Sequence, residues 1–253
     1  MPANRNQIQS ALSELLEPHR FRDYCPNGLQ VEGKSEINTI VTGVTASLAL
    51  IEAAITEKAD MLLVHHGYFW KGEAPAVAGM KKQRLKLLLE HDLNLFAYHL
   101  PLDAHPDLGN NHQLGRILGL QQESVIGHPG ETALVAVGTF ADSCSHQEVL
   151  ALLRERLQRD PMGIEGKSRS IKRVAWCTGA AQNYFDLAVT AEVDAFITGE
   201  VSEQTYHIAK ETGLHFFSAG HHATERYGVQ AVGNHIAESF GVRHQFIDID
   251  NPV

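Results

Sequence analysis

The stretch INTIVTGVTASLALIEAAITEKADMLLVHH, residues 37–66, decides the fold. Residues 37–44 are nearly all apolar or β-branched, which reads as a strand buried on both faces. Apolar side chains then recur at helical spacing through 46–57, and MLLVHH (61–66) is a second buried strand. Strand, helix and strand packed this closely in sequence predict a βαβ unit with parallel strands.

The rhythm continues outward from this unit. Upstream, Ile8, Leu12, Leu15 and Leu16 share one face of a helix over 5–16, with Asn4 as its N-cap and Pro18 as its stop. A Pro- and Gly-containing loop follows at 24–30. Downstream, the pattern predicts a helix over 80–90, the strand NLFAYHL (94–100) and a helix over 107–118. It weakens at 119–130, then gives a strand over 131–140, a helix over 145–158 started by Ser145, and a polar loop over 159–170. Strands at 171–177, 194–199, 215–220 and 244–250 then alternate with helices at 181–192, 202–212 and 222–239. ADMLLVHHG (59–67) falls where VDAFITGEV (193–201) falls later, and LFAYHLPLD (95–103) likewise matches FFSAGHHATE (216–225). The expected fold is α/β, with two linked, pseudo-repeated halves, residues 1–125 and 126–253, and mixed, largely parallel sheets.

Composition narrows the function. With 43% apolar and 20% charged residues in 253, the chain is an ordinary globular protein rather than a disordered or fibrous one. Three widely spaced cysteines without a CxxC exclude a disulfide framework, a zinc ribbon and thioredoxin-like chemistry. The N-terminus lacks a signal-peptide pattern, and no apolar run approaches the ~20 residues of a bilayer span, so a cytoplasmic address and no membrane partner are expected. A net charge of −9 argues against extended non-specific DNA binding. A small anionic substrate remains compatible if bound metal reverses the local sign.

Fifteen histidines are the compositional oddity, and several sit with carboxylates at predicted strand ends. His65 and His66 end MLLVHH, His99 and Asp103 end LFAYHLPLD, Glu200 follows DAFITG, and His221, His222 and Glu225 follow HFFSAG. Ligands of open α/β sheets bind beyond the carboxyl ends of the strands, so these clusters are expected to converge. Taken alone, a His-His dipeptide is more commonly one core and one solvated histidine. At a strand end, however, the chain turns at Gly67 and the two rings can serve two metals. His221 and Glu225 are spaced i, i+4 and stack on one face if a helix begins in AGHHATER, whereas His222 points elsewhere. Asp103 lies in HLPLDAHPDLGNN, where Pro101 and Pro106 predict a rigid, non-helical path. Together His65, His66, Asp103, His221 and Glu225 suit two divalent ions of the Zn, Mn, Fe, Co or Ni type. Water acidified between two such ions makes hydrolysis the natural chemistry.

IVTGVTASLALIEAA, LLVHHGYFWKGE, HLPLDAHPDLGNN, ITGEVSEQTYHIAKETG and SAGHHATERYGVQA resemble the NGG-one-interacting factor three family, also called the GTP cyclohydrolase I type 2 family. The resemblance runs from Asn27-Gly-Leu-Gln30 to the C-terminus. It implies two linked α/β halves, a dinuclear metal site and a toroidal homohexamer. The family's ligands fall on His65, His66, Asp103, His221 and Glu225, and His99 matches a histidine near the metals with a second-shell or proton-transfer role. The large middle insertion of some relatives is missing. The resemblance also links the chain to removal of damaged nucleotides and to DNA damage, without naming a substrate. The leading expectation is a dinuclear metal-dependent hydrolase of a small phosphorylated or nucleotide-like compound, with His99 as the catalytic residue. GTP cyclohydrolase is the alternative enzyme, and a metal-binding scaffold or regulatory protein the alternative of another class.

Overall fold

The computed structural model describes residues 2–253. Its first elements are β1 (Ala3–Asn4), α1 (Arg5–Leu16), β2 (Gly28–Val31), β3 (Glu36–Ile37), β4 (Thr39–Thr45) and α2 (Leu48–Thr56). Next come β5 (Met61–His66), α3 (Gly79–Glu90), β6 (Asn94–Ala97), α4 (Leu100–Ala104), α5 (Asn110–Leu118) and β7 (Gln121–Ile126). Then follow β8 (Val135–Cys144), α6 (His146–Leu157), β9 (Met162–Ile164), β10 (Ile171–Cys177), α7 (Phe185–Thr190) and β11 (Ala195–Thr198). The chain ends with α8 (Glu203–Thr212), β12 (His215–Ser218), α9 (His221–Thr224), α10 (Arg226–Phe240) and β13 (Arg243–Phe246).

By its internal contacts the chain forms two compact units, one of residues up to Leu102 with Gly228–Asp250, the other of Asp103–Tyr227 with Asn251–Val253. They are discontinuous in sequence, where the sequence reading places one cut at residue 125. Unit 1 holds a five-stranded sheet in the order β13-β4-β5-β6-β2, parallel except where β2 meets β6. Unit 2 holds a six-stranded sheet in the order β7-β8-β10-β11-β12-β9, with a parallel centre, β10-β11-β12, and antiparallel edges.

The same local device starts both parallel centres. Asp60, just before β5, accepts the backbone N–H groups of Asn38 and Thr39 on one carboxylate oxygen. Asp194, just before β11, does the same for Lys172 and Arg173. These are the aspartates of ADMLLV and VDAFIT, so the sequence echo corresponds to a repeated structural part. Burial pushes the Asp60 carboxyl up, but the Asn38 N–H, Lys34 and Thr39 N–H together hold it below the usual range.

Each unit has its own core. In unit 1, Val41, Leu62, Val64 and Leu95 on the sheet pack with Leu50, Ile51, Leu85 and Leu88 from the helices. In unit 2, Trp176, Ile197 and Phe217 pack with Leu114, Leu118, Val149 and Leu153. Asn4 caps α1 through its side chain, and Ser145 opens α6 with Glu148 in a reciprocal capping box. No helix of the described residues is long and apolar enough to cross a membrane.

Four local expectations are corrected. The stretch 119–130 contains β7, the stretch 159–170 contains β9, and the 24–30 loop runs into β2. β2 and β9 are short edge strands paired with distant partners, and β7 is an almost wholly exposed edge strand without apolar residues to mark it before Val125, so the local sequence of all three carries little signal. The helix expected over 222–239 is two helices, α9 and α10, parted at Glu225, whose φ and ψ of −107° and 7° leave helical geometry.

Candidate metal centre

In unit 1, β5 runs through His66 before the chain turns at Gly67. His65 is fully buried, and its ring centroid lies 4.6 Å from that of His66. His65 Nδ1 is 3.0 Å from the Tyr98 carbonyl oxygen. A carbonyl only accepts, so this contact puts the proton on Nδ1 and leaves Nε2 with its lone pair. His66 Nδ1 pairs with the Thr45 hydroxyl at 3.0 Å. The His99 ring centroid is 5.1 Å from that of His65 and 5.8 Å from that of His66. One ligand atom from each of these three histidines lies within 4.8 Å of the other two.

His99 is held from behind by a residue that sequence reading missed, Asp23. The Asp23 Oδ1 accepts from His99 Nδ1 at 2.7 Å and from the Tyr24 N–H at 2.6 Å. Its Oδ2 accepts from Asn27 Nδ2 and from the Leu100 N–H, each at 2.9 Å. Burial pushes the Asp23 carboxyl up, but His99 and Asn27 overcome it and bring it down to about 2. His99 therefore carries its proton on Nδ1, and the edge of Trp70 packs on its ring at 5.0 Å. Cys25, near Asp23 and His99, is pushed up to about 12 by burial and the Asp23 charge, so it remains a thiol. Nothing within Phe21-Arg-Asp-Tyr24 marks this aspartate; only the tertiary fold brings residue 23 to residue 99.

In unit 2, Asp103 sits in α4, which corrects the expected non-helical path. Pro101 occupies the first turn of that helix, where a missing N–H costs nothing. The buried Asp103 Oδ1 accepts from Asn110 Nδ2 at 2.9 Å and lies 3.3 Å from the Thr178 hydroxyl. Asn111 donates to the Asp103 backbone oxygen and accepts the Thr178 N–H at 2.9 Å, tying α4 to the end of β10. His221 Nε2 stands 3.2 Å from Glu225 Oε2, as the i, i+4 spacing predicts. A carboxylate oxygen of Glu225 also comes within 4.8 Å of one from Asp103. Gly179 makes room for this carboxylate: with φ of +68°, a Cβ there would lie 2.1 Å from Glu225 Oε1.

His221 Nδ1 meets Glu200 Oε1 at 2.6 Å. Burial lowers the His221 pKa, but Glu225 and Glu200 outweigh it and raise it to about 9. Cys177 is pushed up by burial, with Asp103 adding to the effect, and stays a thiol among carboxylates. Nitrogen and oxygen are thus the donors on offer in both units, which suits borderline divalent ions and disfavours soft Cu⁺.

A family model described as DUF34/NIF3 (NGG1p interacting factor 3) matches residues 3–252. The chain belongs to the DUF34/NIF3 family. Among DUF34/NIF3 relatives, a Vibrio cholerae protein named GTP cyclohydrolase 1 type 2 homolog is 53% identical over 253 residues, covering 99% of this chain and 100% of the relative. A Pseudomonas aeruginosa protein of the same name is 52% identical over 94% of both chains. A solved structure described as protein ybgI, of unknown function, superposes with a TM-score of 0.95 at 48% identity, covering 99% of this chain and 100% of that one. In this DUF34/NIF3 chain, unit 1 brings together His65, His66 and His99, and unit 2 brings together Asp103, His221 and Glu225. His222 is buried on α9, its backbone N–H bonded to the Val253 oxygen.

Proposed function

We propose that the protein is a metal-dependent hydrolase of a small phosphorylated or nucleotide-like compound, damaged nucleotides included. In this reading His65, His66, Asp103, His221 and Glu225 hold two divalent cations. The observation that carries it is the clustering of ligand atoms: His65, buried and with Nδ1 held by the Tyr98 carbonyl, has a ring nitrogen within 4.8 Å of those of His66 and His99, and Asp103 and Glu225 bring buried carboxylate oxygens within 4.8 Å of each other. The donor set fits the group: three imidazoles and two buried carboxylates, with no thiolate.

When bound, such ions supply an acidified water and a Lewis acid for displacement at phosphorus. The chain's own residues do the rest. Asn110 and Thr178 orient the Asp103 carboxylate, and Gly179 admits that of Glu225. His99, anchored by Asp23, holds or moves a proton at Nε2. The deeply depressed Asp23 remains a carboxylate at neutral pH and keeps His99 in that tautomer.

The name of the curated relatives favours a second reading, opening of the GTP ring. That reaction needs attack at a ring carbon followed by several proton transfers, and His99 is the main acid–base candidate beside the donor sets. Metal-loaded protein incubated with phosphoester and nucleotide panels, with products read by mass spectrometry, tests the first reading. Catalytic formate release from GTP that is lost in Asp103→Ala would replace it with the second. We propose in addition a ring-shaped homohexamer, which a monomer in sedimentation at micromolar concentration would refute.

A further inference from the structure

We infer that Glu200 is a positioning residue of the proposed metal centre: it holds the His221 ring by Nδ1 and so makes Nε2 the coordinating atom. The inference rests on the metal reading and adds to it a residue outside the proposed ligand set. Glu200 follows β11, and its Oε1 accepts from His221 Nδ1 at 2.6 Å, while its Oε2 lies 3.5 Å from Gln182 Nε2. The side chain is 33% exposed, against 4% for Glu225 on the other side of the same ring. The half-buried Glu200 carboxylate grips the ring at Nδ1, and the buried Glu225 carboxylate stands beside Nε2 as the second donor.

The backbone under Glu200 allows little drift. A Cβ on Gly199 would lie 2.6 Å from the Gly179 carbonyl oxygen and 2.6 Å from His221 Cα. The Gly199 N–H donates to the Gly179 oxygen, and the Gly199 oxygen accepts from the Gly220 N–H and the Ser218 hydroxyl, each at 2.9 Å. Glu200 is therefore fixed relative to the helix that carries His221.

The same arrangement recurs at every histidine of the two donor sets. His65 is gripped at Nδ1 by the Tyr98 carbonyl, His66 by Thr45, and His99 by Asp23. Four rings anchored through the same nitrogen leave the same nitrogen, Nε2, for the site. A partner on the far nitrogen fixes ring orientation and raises ligand basicity, and its loss typically costs about 10–100-fold in metal affinity.

The test uses the full chain and Zn²⁺, with affinity measured by chelator competition. Glu200→Ala should weaken Zn²⁺ binding about 10–100-fold. Glu200→Gln, which keeps an oxygen to accept the Nδ1 proton, should lose less. A downfield, ¹⁵N-coupled Nδ1 proton of His221 should appear in wild type and Glu200→Gln and vanish in Glu200→Ala. Wild-type protein that binds no Zn²⁺ would overturn the metal reading itself. Zn²⁺ binding that is normal in wild type and unchanged in Glu200→Ala would overturn the positioning role alone. So would equal losses in both variants, because an acceptor oxygen would then not matter.

Discussion

Unit 1 offers nitrogen and unit 2 offers charge. Unit 1 clusters three imidazoles, and two of them are anchored by uncharged partners, a carbonyl and a hydroxyl. Unit 2 places Asp103 and Glu225, 8% and 3% exposed, with carboxylate oxygens within 4.8 Å of each other. Neutral imidazoles can be buried together at little electrostatic cost. Buried like charges cannot, unless a cation or a positive group compensates. His221 stands beside Glu225 as such a positive group: burial lowers its pKa, but Glu225 and Glu200 outweigh that and raise it to about 9. The difference teaches that a cation relieves more unfavourable energy in unit 2 than in unit 1.

The largest expected effect comes from removing one of those carboxylates. Glu225→Ala should reduce metal, read by elemental analysis, from near two ions per chain to below one, whereas His222→Ala should keep near two. Equal losses would show that the wrong face of the His-His-Ala-Thr-Glu turn has been assigned to the metal. A smaller effect should follow chelation. Saturating metal at a hundredfold excess over Kd stabilises a fold by about 2.7 kcal/mol, and chelator should remove that increment from the thermal midpoint. Hydrogen exchange should then rise more at 221–225 than at 65–66; a larger rise at 65–66 would reverse the comparison between the units.

Gly179→Ala tests whether a backbone position controls the same carboxylate. Placing alanine at positive φ costs about 1–2 kcal/mol by itself, and here its Cβ also meets Glu225 Oε1. Gly119, with φ of +72° and nothing within 4 Å of a Cβ, is the matched control. Both alanine variants should lower the unfolding midpoint, but only Gly179→Ala should lose metal. Metal loss in both would mean that general destabilisation empties the site.

The smallest effect is a pH slope in unit 2, away from the donor residues. His146 Nδ1 lies 3.1 Å from His215 Nδ1, and His215 accepts the Gly166 N–H on that nitrogen while Nε2 donates to the Ser168 carbonyl. Burial lowers the His146 pKa, and His215 and Lys210 lower it further against the opposing pull of Glu165. Below pH 6.5 the unfolded chain therefore takes up a proton that the folded pair resists. The stabilisation is present above that pH and declines as pH falls through the folded value. Denaturant titrations of His146→Gln between pH 7 and 5 should show a shallower decline than wild type; an equal slope would place the acid sensitivity elsewhere.

How much of this was legible depends on whether the cause is local. The strands MLLVHH, IKRVAWC and HFFS centre on the apolar runs MLLV, VAWC and FF, which need burial on both faces, so their place in a parallel centre follows from local sequence. Asn4 and Ser145 announce their helices because a cap acts on N–H groups two or three residues away. The five ligand candidates were legible because polar residues at the ends of such strands have few structural reasons to be there. The short helix around Pro101 was not, since proline is compatible with either a turn or a first helical turn.

Sequence by itself determined the βα rhythm, the repeated aspartate before each central strand, and the histidines and carboxylates at the strand ends. Tertiary structure alone decided the edge strands β2 and β9, whose pairing depends on a partner distant in sequence. It also decided that residues 103–125 pack with the second unit and 228–250 with the first. The supports of the site belong to the same class. Asp23 reaches His99 across 76 positions, Thr178 reaches Asp103 across 75, and Glu200 reaches His221 across 21. A hydrogen bond between such residues exists only once the sheet has set their distance, and no periodicity or spacing in the chain encodes it.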